Sequence, residues 1–218
     1  MAVIHHTTLK PTKLELLTSW LPTRPWYRGG AAPELARVGG FRLDDPEGEV
    51  GIELMVAADT SGADPVHYLV PLTYRAAPLP GAEHALVGTM EHGVLGPRWA
   101  YDGAHDPVLV EQLLALVEGR VEPQMQSVSD TVDPEVTRAC TGTAPLAADL
   151  TTTDDRHGTE LRSAQGPVLR LNRVLHPTPG AGPALPEGAI GQVTGHWQLP
   201  DDARTHGLFA VLHPAPSA

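Results

Sequence analysis

Apolar and polar positions alternate strictly through residues 66–76, where Tyr68, Val70, Leu72 and Tyr74 fall on every second residue. A period of two belongs to a β-strand with one face turned to a core. Residues 35–43 read the same way and end in the turn Asp44-Asp45-Pro46-Glu47-Gly48. Residues 49–58 follow and end in Asp59-Thr60-Ser61-Gly62. Residues 85–89 and 94–101 are further strands, and residues 3–9 read as extended. Strands joined by short turns predict an antiparallel meander with one face buried.

Two segments carry the helical period instead. Pro11 opens the first, since a missing N–H costs nothing in an opening turn. Leu14, Leu16, Leu17, Trp20 and Leu21 form its apolar face, and Pro22 and Pro25 end it. The second opens at Asp106-Pro107, an N-cap followed by a proline. Its stripe is Val108, Leu109, Leu113, Leu116 and Val117, and Gly119 stops it.

Beyond this helix the texture changes. Residues 120–134 are poor in apolar positions, and the reading divides the chain into 1–122, a linker at 123–134, and 135–218. The last part holds short β-like runs at 136–140, 146–152, 160–163, 168–175, 190–199 and 208–213, with a Pro/Gly loop at 177–186. Gly and Pro number 22 each, which favours many turns and strands over long helices. The fold class expected is α+β: an antiparallel sheet with packed helices, followed by a smaller β-rich unit.

Charge narrows the partners. A formal charge of −11 repels phosphate backbones and anionic membrane surfaces, so neither nucleic acid nor membrane is expected. No run of about 18 apolar residues is present to span a bilayer, and residues 1–10 lack the apolar core of a signal peptide, so the cytoplasm is the expected compartment. Cys140 is the single cysteine. It forms no internal disulfide, and its ordinary reading is a small buried apolar residue.

Motif chemistry is sparse. The eleven histidines show no HExxH or helical i, i+4 pair, and His5-His6 on a strand point to opposite faces, so no metal is expected. No GxSxG, GxxxxGK or GxGxxG motif occurs, and neither a cofactor nor a catalytic residue is assigned. The doublets Asp44-Asp45, Asp154-Asp155 and Asp201-Asp202 read as turns. Two clusters combine aromatic rings with polar groups, as a sugar or small-ligand platform requires. These are Trp26-Tyr27-Arg28-Gly29-Gly30 and the run from Arg98 to Asp106. They nominate Trp26, Tyr27, Arg28, Trp99, Tyr101 and His105 as ligand-binding, with His92, Asp102 and His105 as titratable groups for any new chemistry. The same residues also suit a helix buried on a sheet.

These segments, in their order, carry a resemblance. The Pro-led helix, Pro25-Trp26-Tyr27-Arg28-Gly29, the strand from His67 to Arg75, and Tyr101-Asp102-Gly103-Ala104-His105-Asp106-Pro107 resemble the N-terminal cap domain of actinobacterial maltokinases over roughly residues 3–120. The resemblance implies a curved antiparallel sheet of cystatin-like topology. In that family the cap precedes a kinase of the aminoglycoside-phosphotransferase type that makes maltose 1-phosphate for α-glucan synthesis. The run from Gly166 to Leu175 is similar to the small-lobe strand bearing the ATP-pairing lysine, and Arg170 stands where that lysine is expected. Gly195-His196-Trp197 and 208–213 would be later strands of that lobe. The chain has only two lysines, Lys10 and Lys13, and residues 214–218 leave no room for a magnesium-binding lobe. The resemblance thus implies a non-catalytic, pseudokinase-like accessory protein, acting on a protein partner of glucan or trehalose metabolism or as a homodimer. The alternatives are a sugar or small-molecule binding module and an enzyme with unrelated chemistry on this scaffold.

Overall fold

The computed structural model describes residues 9–142, 150–163, 166–178 and 184–215. Backbone pairing runs through all of them. The first part holds β1 (Leu9–Lys10), α1 (Lys13–Trp20), β2 (Leu35–Leu43), β3 (Gly51–Asp59), β4 (Val66–Arg75), β5 (Leu86–His92), β6 (Gly96–Asp102) and α2 (Pro107–Val117). Then come β7 (Gln124–Met125), β8 (Thr137–Cys140), β9 (Leu150–Asp155), β10 (Gly158–Ser163), β11 (Val168–Leu171), β12 (Val174–Leu175), β13 (Gly191–Gln198) and β14 (Arg204–His213). Among the described residues fourteen strands join one sheet, antiparallel at every pairing. Among the described residues no helix is long and apolar enough to cross a membrane.

The sheet crosses the expected linker. β7 lies within 123–134 and pairs with β2, and Asp133 is buried. β13 reaches β2 through Trp197 opposite Gly39. That approach needs glycine, because a Cβ on Gly39 would sit 2.7 Å from the His196 carbonyl oxygen. Residues 168–175, expected as one strand, break at Asn172-Arg173. β11 pairs with β14 and β12 with β4, so the pairings run from β4 through β3, β2, β13 and β14 to β11, and the chain itself leads on through β12 to β4.

One apolar cluster draws Phe41, Leu54 and Leu69 together with Leu113, Leu171, Trp197 and Phe209, and so mixes residues from both sides of 123–134. A second cluster lies on the opposite face of β3 and β4, where Met55, Tyr68, Val70 and Leu72 meet Leu17, Trp20, Leu21 and Trp26. The single buried face expected for this meander is therefore corrected. α1 covers one side of β3 and β4, the other joins the shared core, and both strands are buried almost throughout.

Helix ends follow local chemistry. α1 begins after Thr12 rather than at Pro11. The Thr12 hydroxyl accepts from the Glu15 N–H at 3.2 Å, and the Glu15 carboxylate accepts from the Thr12 N–H at 2.7 Å. Asp106 caps α2 by accepting from the Val108 N–H at 3.1 Å, Pro107 takes the first position, and Gly119 leaves the helix with φ +77°. Cys140 departs from its expected burial. It is exposed at the end of β8, where its thiol donates to the Gly142 carbonyl oxygen at 2.8 Å. Expected features at 3–8, 146–149, 179–183 and 216–218 lie outside the described residues, His5 and His6 among them.

Candidate functional site: a cleft on the outer sheet face

Most of the nominated aromatic residues are used in packing. Trp26 has no exposed surface and its ring lies against Trp20 and Tyr68. The Tyr27 hydroxyl donates to Asp59 at 2.7 Å; burial, with that bond, holds the phenol well above its ordinary range. Arg28 is exposed, and its backbone N–H donates to the Tyr68 hydroxyl at 3.0 Å. Trp99 packs with Tyr101, Ala82 and Ala85, and the Tyr101 hydroxyl accepts from the Leu79 N–H at 2.9 Å. His105 Nδ1 lies 3.1 Å from His84 Nε2, and burial holds it below the usual imidazole value. These side chains do not converge on one cavity. Arg170 pairs with Glu160 at 2.7 Å and Asp155 at 3.3 Å along β10 and its turn, a role within the sheet.

Asp102 belongs to a sealed site that the sequence reading did not find. It accepts both of its short bonds, 2.7 Å each, from one guanidinium nitrogen of Arg173. Both side chains are at most 1% exposed. Arg173 Nε donates to Thr159 at 2.6 Å, and its guanidinium lies 5.1 Å from the Trp26 ring centre. This pair ties β6 to the break between β11 and β12. A charge of either sign left alone at such a depth costs several kcal/mol.

A second pair is open to solvent. Glu53, in the middle of β3, is 5% exposed and lies 2.5 Å from the Lys13 ammonium at the start of α1. The Tyr74 hydroxyl donates to the same Glu53 oxygen at 2.7 Å, and Gln126 donates to the other at 3.0 Å. Burial alone would raise the Glu53 pKa. The Lys13 charge and hydrogen bond, the Tyr74 bond and nearby Arg37 outweigh it and hold the carboxyl below its usual range. Tyr74 moves the other way, well above a normal phenol, through burial and then the Glu53 charge.

These groups floor a cleft of about 420 Å³ on the outer face of the sheet, beside α1. Arg37, Arg42, Arg98 and His92 also line it, so His92 is the one nominated residue that reaches this cavity. His92 Nδ1 accepts from the backbone of Val94 and Leu95, which shapes the β5–β6 hairpin at the cleft edge. Asp45 closes one side with its carboxylate used up by turn N–H groups of Glu47, Glu49 and Val50. The sequence held one signal for this site: Glu53 is a lone carboxylate in the otherwise apolar run 52–58.

Residues 20–106 match the family model of the maltokinase N-terminal cap domain. No curated protein matches the chain. The matched segment contains Arg37, Arg42, Glu53, Tyr74, His92 and Arg98. Lys13 and Gln126, which complete the Glu53 hydrogen bonds, lie outside it, as does Arg173.

Proposed function

We propose that this protein is a non-catalytic binding module, built on a sheet like a maltokinase cap, that takes a small polar ligand in the Lys13–Glu53 cleft. One observation carries the reading. The cleft is large enough for a small molecule, and its buried acid is already satisfied by Lys13, Tyr74 and Gln126. A site whose polar floor is fixed before binding loses little freedom when it is filled. The same saturation makes Glu53 a poor general base, since a carboxylate held far below neutral pH takes up protons weakly.

The cap match makes maltose, trehalose and short α-glucans the first ligands to try. We propose also that the sheet is a curved, cystatin-like cap followed after residue 134 by a degenerate kinase small lobe, and that the protein has an accessory role in α-glucan or trehalose metabolism, with a protein partner or as a homodimer. Val94 and Leu95, 60% and 45% exposed at the β5–β6 tip, offer apolar surface for such a contact. Calorimetric titration of the full chain with these sugars tests the module, with Glu53→Gln as the control for the cleft. Binding that the variant weakens supports it. Conversion of ATP to ADP with a sugar acceptor overturns the non-catalytic reading, and sedimentation checks self-association.

A further inference from the structure

Three guanidiniums stand on the cleft wall, and one of them, Arg37, lies near enough to Glu53 to help hold its carboxyl charged. Arg37, Arg42 and Arg98 all line the cleft, and none forms an ion pair among the described residues. Arg98 donates to the Pro97 carbonyl oxygen beside it at 2.8 Å. Of the three acids lining the cleft, Glu53 is paired with Lys13 and Asp45 is saturated by three backbone N–H groups, while Glu49 is exposed at the rim.

Strand geometry gathers these cations deliberately. Arg37 and Arg42 are five residues apart on β2, which in a regular strand puts them on opposite faces. The register shifts between Arg37 and Gly39: Arg37 pairs with Ala57, Gly39 with Val56 and Arg42 with Glu53. Val38 is the extra residue of a bulge, and it returns Arg37 to the face of Arg42 and Glu53. Arg98 joins the same face through β6, since Ala100 pairs with Tyr74 and Tyr74 with Gly51, two residues from Glu53. Planar guanidinium forks lining one concave polar site match the oxygens of a tetrahedral oxyanion better than a neutral hydroxyl.

We infer that the cleft binds a phosphate oxyanion, free or as the monoester of a small polyol, through Arg37, Arg42 and Arg98. This rests on the cleft being the ligand site. The test is calorimetric titration of the full chain with inorganic phosphate, glucose 6-phosphate and glucose, at low and high salt. It is repeated with Arg42→Gln and Arg98→Gln, each checked for unchanged thermal unfolding. The ester should bind at least about tenfold tighter than glucose, each variant should weaken it about tenfold, and salt should weaken it further. Phosphate matching the ester assigns the site to the free anion; an ester clearly tighter than phosphate assigns it to the monoester. Equal binding of glucose and its phosphate, insensitive to both variants, overturns the inference and leaves the cleft reading standing. Silence from all three probes together with maltose and trehalose overturns both.

Discussion

Two ion pairs share one row of this sheet and have different fates. Glu53 on β3 lies opposite Leu72 on β4, and Leu72 lies opposite Asp102 on β6. The two carboxylates thus face the same side, separated by one strand, about 10 Å at ordinary strand spacing. Each has a cation and an aromatic ring beside it: Lys13 and Tyr74 for Glu53, Arg173 and Trp26 for Asp102. The Asp102 pair is sealed under the return of β11 and β12. The Glu53 pair lies at the start of α1, with Lys13 still 30% exposed and three arginines beyond it. Identical chemistry becomes a clamp where the chain covers it and a binding floor where the chain stops short.

The largest test of this contrast is Asp102→Ala. It strands Arg173 without a counter-charge and should lower stability by about 3–5 kcal/mol in urea unfolding. A loss below about 1 kcal/mol would mean that the pair is hydrated and that the two sites do not differ. Glu53→Gln should cost less, about 1–2 kcal/mol, because Lys13 can turn to water. Its signature is in pH dependence. The folded Glu53 carboxyl titrates below its unfolded value, so its contribution is complete above the ordinary carboxylate range. It is lost as pH falls through the folded value. Stability measured from neutral to acid pH should therefore fall less steeply in Glu53→Gln than in the parent, and parallel profiles would remove Lys13 and Tyr74 as the cause. Arg170→Gln is the small end of the scale. Its partners Glu160 and Asp155 are a third to a half exposed, and the change in unfolding free energy should stay under about 1 kcal/mol.

Much of the first half was legible in the sequence. β2 occupies the expected residues 35–43 without displacement, and Asp106 and Gly119 bound α2 where their chemistry placed them. These features are local: a turn, a cap or an alternation needs only its neighbours. The nominated site fared differently. Trp26 and Tyr101 looked like a ligand platform because aromatic rings beside polar groups suit either a ligand or a core, and their surroundings are supplied by distant strands. Arg173 drew no notice because Arg170, three positions earlier in the same run, looks alike in sequence, and only burial separates the sealed cation from the partly exposed one.

By itself, the sequence determined the bounds of β2 and the two ends of α2, because turn, glycine and capping residues act through bonds to residues a few positions away. The tertiary structure alone decided which face of each strand meets water, and so which charged residues became a seam and which a cleft. Lys13 finds Glu53 across 40 positions and Arg173 finds Asp102 across 71, distances over which no local pattern carries information. The bulge at Val38 makes the same point in miniature. One unpaired residue turns Arg37 toward Arg42, and only its pairing with β3 reveals on which side it emerges.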